Sequence, residues 1–368
     1  MLGGQLPLPS LPPLRMRAQR LWGTRFDTPR EVVRWLTALQ AQEFSLAKWS
    51  IAQRTRGATM ADVDAAFAAG VIVRTHLLRP TWHFVLGEDI RWLLKVTAPR
   101  VNALNAYYNK EHELERKVFT KSNSLITKAL KGGAHLTRPE LASVLKHGGI
   151  RASGARLAYI VMRAELDGIV CSGAMRGKQH TYALLDDRTP PTKTLEREAA
   201  LAELTRRYFT SRGPATLNDF SRWSSLTAAE GKDGLSLVAN ELESQAVDGR
   251  TYWFGPASGA ARTPAKLVVD LVQGYDEIIM SYSESRDVSF RLGGAPFFNA
   301  VLVEGRLIGH WKPRASRNSV LIETVLHRAL SREEATALDD AVDRYGKFLG
   351  GPVTLAPVRL TAARGRRK

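Results

Sequence analysis

The chain of 368 residues holds one cysteine, Cys171, so no disulfide can form within it; such sparing use fits a reducing cytoplasm. One thiol cannot build a thiolate metal site, and the eight histidines show no His-Glu-x-x-His spacing. His76 and His83 are two nitrogens without a carboxylate beside them in the sequence, so no metal is expected. Gly132-Gly133 and Gly293-Gly294 are not followed by the Gly-Lys-Ser/Thr that cradles a nucleoside triphosphate. No Gly-x-Ser-x-Gly elbow offers a serine nucleophile. ATP use and acyl transfer are poor readings, and no cofactor is expected. No apolar run approaches the roughly 20 residues that span a bilayer. The opening residues 1–13 are rich in Pro, Leu and Gly and lack the cationic start and long apolar core of a secretion signal. The expectation is a soluble chain with no membrane partner.

Negative charge is also short. Asp and Glu number 36 against 53 Lys and Arg, a formal net charge of +17, and the sequence pI is about 10.2. A protein this basic usually meets a polyanion, whether DNA, RNA or an anionic membrane face; a basic proteome with an uneventful surface is the alternative. The cations are spread along the chain. Only Arg364, Arg366, Arg367 and Lys368 form a dense run, read as an arm that adds non-specific phosphate affinity.

Helix signals alternate with short strands in a repeating order. Thr28-Pro29-Arg30-Glu31 is a capping box with proline in the first turn. Val32, Leu36 and Leu39 follow at helical spacing, which places Gln40-Ala41-Gln42 near the end of a helix. A second helix starts near Thr59 and stops at Gly70. The strands Val71-Ile72-Val73 and Trp82-His83-Phe84-Val85 come next. Helix, helix, hairpin is the layout of a winged helix. The pattern returns with the Thr137-Arg138-Pro139-Glu140 box, a helix through Leu157, Ile160, Val161 and Leu166, and strands Ile169-Val170-Cys171 and Thr181-Tyr182-Ala183-Leu184 around the wing tip Met175-Arg176-Gly177-Lys178-Gln179. A third unit has a helix over 195–209, a short one from Thr216 with Leu217, Phe220 and Trp223, another from a box at Thr227 and Glu230, and a hairpin turn at Asp248-Gly249. Beyond residue 260 strands dominate, over 266–273, 298–303, 307–311 and 319–325, with a tight turn at Glu304-Gly305. A helix from Ser331, boxed by Glu334, runs to Gly350, and a strand over 353–360 follows. Joints are expected around Pro190-Pro191 and over 255–264. The fold class is α+β: tandem winged-helix (helix-turn-helix) units and a C-terminal β-rich part. The expected divisions are 1–14, 15–120, 121–190, 191–260 and 261–360, with a basic tail at 361–368.

Most winged helices put a helix in a DNA groove and a wing on the backbone, so three in tandem on a basic chain point to DNA; protein interaction is the other use of such units. Candidate DNA contacts are Arg176 and Lys178 at the second wing tip. Lys312, Arg314 and Arg317, which follow Trp311, read equally as a phosphate-facing edge or a solvated charge run. For chemistry the candidates are Gln40 and Gln42. An amide offers donors and an acceptor and cannot act as a general base at neutral pH. It can steer a water toward an electrophile, which suffices only when the substrate is already activated. An N7-alkylated purine is such a substrate, because its ring carries a positive charge and leaves readily; position and electrostatics then supply most of the barrier reduction. Spacing alone fits two capping or solvated amides better. Arg74 and His76 share one strand face, as do Thr81 and His83, and with Arg79 they form a polar block. That block reads as phosphate or sugar binding beside the reaction centre, or as satisfied core histidines. Trp82 and Phe84 read as core. Asp276 and Glu277 read as a structural turn or buried pair before a catalytic carboxylate.

Taken together, Gln40-x-Gln42, the block from Arg74 to His83, Asn218-Asp219-Phe220 with Trp223, Tyr275-Asp276-Glu277, and Glu304-Gly305-Arg306 with Gly309 and Trp311 resemble the AlkZ/YcaQ superfamily of bacterial winged-helix DNA glycosylases, over about residues 15 to 360. The resemblance implies tandem winged helices joined to a β-rich part in a concave DNA-binding channel. It implies hydrolysis of the N-glycosidic bond of N7-alkylguanine in double-stranded DNA, including unhooking of interstrand crosslinks, without metal or cofactor. The superfamily divides into Gln-x-Gln and Gln-x-Asp branches. Two glutamines match the AlkZ-type branch, associated with self-resistance in producers of DNA-alkylating natural products such as azinomycin. Carried over, Gln40 and Gln42 position the attacking water and the sugar, with His76 and His83 in support. The stretch from Ile278 to Arg286 is less basic than the family implies; if it touches the lesion, a different preferred adduct is expected. A crosslinked guanine cannot rotate into a snug pocket, so an open channel with probing hairpins, at Arg176-Gly177-Lys178 or at 311–314, is expected instead. The alternatives are a transcriptional regulator without catalysis and a protein that sequesters the alkylating compound. Regulators dimerise on palindromic sites; an enzyme on scattered lesions is expected to be a monomer, cytoplasmic and associated with the nucleoid.

Overall fold

The computed structural model describes residues 11–189, 191–192, 195–256, 266–284, 299–317 and 319–361. The lead-in up to residue 10, Pro190, the second glycine pair, Ser285 and Arg286, most of the 255–264 joint and the basic tail from 362 lie outside the described residues.

After α1 (Leu11–Ala18), α2 (Pro29–Leu36) starts at the Thr28 box, with Glu31 returning the bond to the Thr28 backbone. It stops four residues before Gln40. Thr37 takes φ 63° and turns the chain into β1 (Leu39–Gln40). Leu39 is apolar at helical spacing because it pairs with Phe84 in a sheet, so the glutamine motif sits on a strand and the loop after it rather than at a helix end. Then come α3 (Phe44–Ala52), α4 (Met60–Ala68), β2 (Ile72–His76) and β3 (Trp82–Leu86), with strand order β1-β3-β2. The sequence showed no α3 because six consecutive positions, Ala47 to Ala52, are all buried and leave no amphipathic stripe.

Three long or short helices, α5 (Ile90–Leu104), α6 (Ala106–Glu111) and α7 (Arg116–Leu130), lead into the second unit. It continues through β4 (Leu136–Thr137), α8 (Arg138–His147), α9 (Gly154–Leu166), β5 (Val170–Ser172), β6 (Thr181–Leu184) and the short α10 (Leu185–Arg188), with strand order β4-β6-β5. The third runs through α11 (Arg197–Arg212), α12 (Leu217–Ser224), α13 (Ala228–Val238), β7 (Glu243–Val247) and β8 (Arg250–Phe254). Here an isolated bridge between Ala215 and Trp253 stands where the first two units have a two-residue strand. All three therefore share one order: helix, bridging strand, two helices, hairpin. That is a tandem winged helix, and Gln40 occupies the bridging strand of the first copy.

The C-terminal part has β9 (Val269–Val272), α14 (Glu277–Met280), β10 (Asn299–Val303), β11 (Arg306–Ala315), β12 (Val320–Leu326), α15 (Arg332–Leu349), β13 (Val353–Leu355) and β14 (Arg359–Leu360). The sheet runs β13-β12-β11-β10-β9, and β14 also lies parallel on β12, so the single strand expected over 353–360 is two. Asp248-Gly249 and Glu304-Gly305 turn with positive φ at both residues, the mirror-image turn that matches strand twist. Helix α15 lays Leu338, Val342, Tyr345 and Phe348 against this sheet and Trp49 of the first unit. The largest core cluster joins α5, α11 and α12 to β2, β3 and α14. Among the described residues no helix is long and apolar enough to cross a membrane.

Gly309 lies in β11 opposite Leu326, and a Cβ there would meet the Val325 carbonyl oxygen at 2.5 Å and Leu326 Cα at 2.7 Å. Backbone on a paired strand cannot yield cheaply. Gly309→Ala is expected to destabilise the protein by about 1–3 kcal/mol, read as a lower urea midpoint; an unchanged midpoint would show that the sheet opens freely here.

Candidate active site

The middle strand β3 fixes the geometry. Gln40 stands opposite His83 on one side, and Thr75 stands opposite His83 on the other. Residues directly opposite in an antiparallel sheet share a face, so Gln40, His83 and Thr75 form one row. Leu39, Phe84 and Arg74 lie on the other face, as do His76 and Trp82. The polar block is thereby split. Arg74 points its Nε at the Ala41 carbonyl (3.0 Å), has a longer contact to the Gln42 carbonyl (3.4 Å), and stacks over Trp82 at 4.2 Å. Burial lowers its pKa to about 10, against the opposing pull of Glu165, so it remains a cation that braces the motif's backbone. His76 meets the buried Glu165 carboxylate of α9 through Nδ1. It belongs to the seam with the second winged helix and not to the Gln40 row. Trp82 is half-buried rather than core.

Within the row, the Gln40 backbone N–H donates to Glu277 Oε1 (2.9 Å), and its side-chain Oε1 accepts the Gln42 backbone N–H (3.0 Å). That donor settles which end of the amide is oxygen. Gln40 is 2% exposed, whereas Gln42 is exposed. Glu277 is the hub. Its Oε2 accepts from Trp223 Nε1 (2.8 Å), from Arg212 through NH2 (2.9 Å) and Nε (3.3 Å), and from Ser281 Oγ (3.1 Å). Burial pushes the Glu277 carboxyl up; Arg212, Arg79 and the bonds from Arg212 and Gln40 more than reverse this and hold it below the usual carboxylate range. Arg79 donates to the Trp223 carbonyl (2.6 Å) and reaches His83 Nε2 at 3.4 Å. His83 Nδ1 faces the Thr81 carbonyl at 3.0 Å and so carries the proton, leaving the Nε2 lone pair toward Arg79. Burial first, then Arg79, push the His83 pKa well below the ordinary imidazole value. Thr81 Oγ1 is buried beside it with no partner among the described residues.

The arrangement offers one fixed amide, that of Gln40, an exposed one at Gln42, and a neutral imidazole. Both Glu277 oxygens accept hydrogen bonds within the protein, and the low His83 pKa makes its imidazole a weak base. No cluster of three metal-ligating side chains occurs among the described residues. Arg212 escaped the sequence reading, although one signal was present: the buried stripe of α11, through Leu201, Leu204 and Tyr208, continues at helical spacing onto Arg212.

The expected DNA contacts lie elsewhere. Arg176 is exposed but bound to Glu140 of α8 (2.7 Å) and to the His135 carbonyl (2.6 Å), so it ties the wing to its helix. Lys178 is exposed at the wing tip. Lys312 (3.6 Å) and Arg314 (3.1 Å) both turn to Glu323, while Arg317 is exposed on the β11–β12 turn. Trp311 is 2% exposed and donates its indole N–H to the Val272 carbonyl (3.0 Å), which removes it as a groove probe.

Three comparisons bear on this geometry. A family model described as DNA glycosylase AlkZ-like matches residues 33–348. An interstrand DNA cross-link repair glycosylase of Streptomyces sahachiroi is 24% identical over 324 residues, 81% of this chain and 85% of that protein. The solved structure of Streptomyces sahachiroi DNA glycosylase AlkZ has a TM-score of 0.80 at 19% identity, covering 97% of this chain and 100% of the other.

His83 carries a pH signature. Its folded pKa lies below the unfolded one, so the unfolded chain takes up the extra proton as pH falls below about 6.5. The stability is whole above that pH and is lost below it, by up to about 1.4 kcal/mol per pH unit. In urea unfolding from about pH 7 to about pH 5, the advantage of wild type over His83→Asn should shrink. A constant gap would mean that His83 protonates equally in both states.

Proposed function

The chain belongs to the AlkZ-like family of DNA glycosylases, hydrolases of N-glycosyl bonds, and from that premise we propose that it removes N7-alkylated guanine from double-stranded DNA, bulky adducts and interstrand crosslinks included. The observation that carries this reading is the hydrogen-bonded series Glu277–Gln40–Gln42, which fixes the Gln40 amide and the Gln42 backbone beside a His83 held neutral, with Glu277 committed to bonds inside the protein. Such a site suits a substrate that is already activated. The cationic N7-alkylguanine leaves with the C1′–N9 electron pair and becomes neutral. Water then adds at C1′, loses its proton to solvent and leaves an abasic site.

The roles divide by what each amide has left to offer. The Gln40 carbonyl is spent on the Gln42 backbone, so its –NH2 is the half that donates to a sugar or phosphate oxygen. The exposed Gln42 amide receives the attacking water on its carbonyl oxygen and aims it. Neither group moves a proton; the rate gain is positional and electrostatic. Arg79 and Thr81 complete the wall of the site, and Arg74 holds the motif from behind. Lys178 and Arg317 are the cations of the candidate set that form no ion pair among the described residues and would meet backbone phosphates, with the protein acting as a monomer on the nucleoid. Removal of natural-product adducts, and hence self-resistance, is the biological role this chemistry fits.

The test is base release under single-turnover conditions from duplex DNA carrying N7-methylguanine and from DNA crosslinked by a bifunctional N7 alkylator. Gln40→Ala plus Gln42→Ala is expected to lower the rate by about 100-fold or more, with affinity for undamaged DNA within about threefold. Tight DNA binding by wild type without release from either substrate would sink the reading and favour a non-catalytic regulator.

A further inference from the structure

Away from the Gln40 row, a cavity of about 240 Å³ opens at the seam between the first winged helix and α15. Trp49 and Phe348 form part of its wall. Arg25, Arg344 and Lys347 converge on it, with Gln53 and Asp270. The charged lining is three cations against one carboxylate, Asp270, which lies close enough to Arg344 and Arg25 to be stabilised by both. Asp270 is 4% exposed and accepts the Trp22 indole N–H at 2.9 Å. Arg344 spends one N–H on the Val269 carbonyl (2.7 Å), which leaves the rest of its fork. Neither Arg25 nor Lys347 forms an ion pair among the described residues. Arg25 is half-buried; burial and then the like charge of Arg344 press its pKa down while Asp270 pulls it up, and a further anion between the two guanidiniums would add to that pull.

The second observation is Gln53. It is 7% exposed, lines the cavity, and its Oε1 is buried without a partner. A buried amide left unmatched is costly. Turned by 180°, the same amide presents its –NH2 where the oxygen is drawn, and then Arg25, Arg344, Lys347 and Gln53 all offer donors to the space, with Asp270 the one charged acceptor in its lining. A tetrahedral oxyanion accepts from several directions at once and takes arginine in paired bonds. We propose that this cavity binds one phosphate group, held by Arg25, Arg344, Lys347 and the Gln53 amide. The site does not depend on the glycosylase reading. Where that reading holds, the phosphate belongs to the DNA backbone; otherwise it comes from a free phosphate or nucleotide. Its neighbour Arg54 grips Asp276, which precedes Glu277, so the site lies one buried ion pair away from the residue that holds Gln40.

The test starts with inorganic phosphate, titrated into the full-length protein and followed by 31P line width. Wild type should bind saturably, and Lys347→Glu and Arg25→Gln should each weaken binding by about tenfold or more. Lys347→Arg should keep it. Lys347 is exposed, so its variants read the site without a folding penalty. Wild type that binds phosphate no better than Lys347→Glu overturns the proposal. A second arm replaces single phosphates of an undamaged duplex by neutral methylphosphonate. One linkage that weakens wild type by about tenfold and leaves Arg25→Gln unaffected assigns the phosphate to DNA, with the salt slope of that variant reduced by about 1. Saturable phosphate binding without such a linkage supports the site with a free phosphate or nucleotide as its ligand. Base release, measured in parallel, is independent of the phosphate titration, so a failed glycosylase reading and a failed phosphate site give different results.

Discussion

Two adjacent acids at the start of α14 organise the molecule around the site. Asp276 receives both arms of Arg54 at 2.7 and 2.9 Å, and Glu277 receives Arg212 at 2.9 Å; all four side chains are 1% exposed or less. Burying ion pairs is unfavourable unless the remaining donors and acceptors are met. Here they are. Arg54 spends its other hydrogens on the Gln19 and Ser50 carbonyls and on Gln19 Oε1. Arg212 reaches the Leu36 and Ala38 carbonyls, at the exit of α2. One guanidinium therefore joins the third winged helix, the α14 turn and the segment that enters β1. The position of Gln40 follows from those bonds more than from β1 itself, which is only two residues long.

This network also explains why no carboxylate charge is left open beside Gln40 in the candidate site. The Glu277 charge is matched by Arg212 inside the protein, and His83 is held uncharged by its burial and by Arg79. A fixed polar surface that needs no reorganisation is suited to a reaction whose positive charge passes from the base to the sugar. On the proposed N7-alkylguanine substrate, a titrating carboxylate in the same place would tie the rate to pH without improving a leaving group that already carries a positive charge.

The features legible in the sequence were local ones. The boxes at Thr28, Thr137, Thr227 and Ser331 and the turns at Asp248-Gly249 and Glu304-Gly305 each depend on contacts within a few residues, and each marks an element edge in the structure. Strand β1 was invisible because Leu39 meets its partner Phe84 only through tertiary pairing, and the same apolar residue continues a helical period. Helix α3 was invisible for the opposite reason, since burial on all sides erases the period. Asp276 and Glu277 are the buried pair that their setting suggested, yet nothing local could show that Glu277 holds the Gln40 backbone 237 residues away. The faces of the β2–β3 hairpin were readable only within one strand. Arg74 and His76 do share a face, but which face Gln40 joins is decided by the register of β1 on β3.

The same point applies to the charge. A net +17 suggests a broad surface for a polyanion, but many of the cations counted there are consumed inside. Arg54 and Arg212 are fully buried, Arg74 braces a backbone, and Arg79 holds a carbonyl of α12. On the surface, Glu323 alone gathers Lys312, Arg314 and Arg359, and Arg176 is bound to Glu140. The Glu140 bonds are strong enough to hold that carboxyl down to about 2, first through the Thr137 backbone N–H and then through Arg176. A count of basic residues therefore overstates the part of the surface that can neutralise phosphates. The cations that matter most for a nucleic acid are those that form no ion pair, and among the described residues Arg25 and Lys347 are two of these, lining the cavity proposed above to take a phosphate.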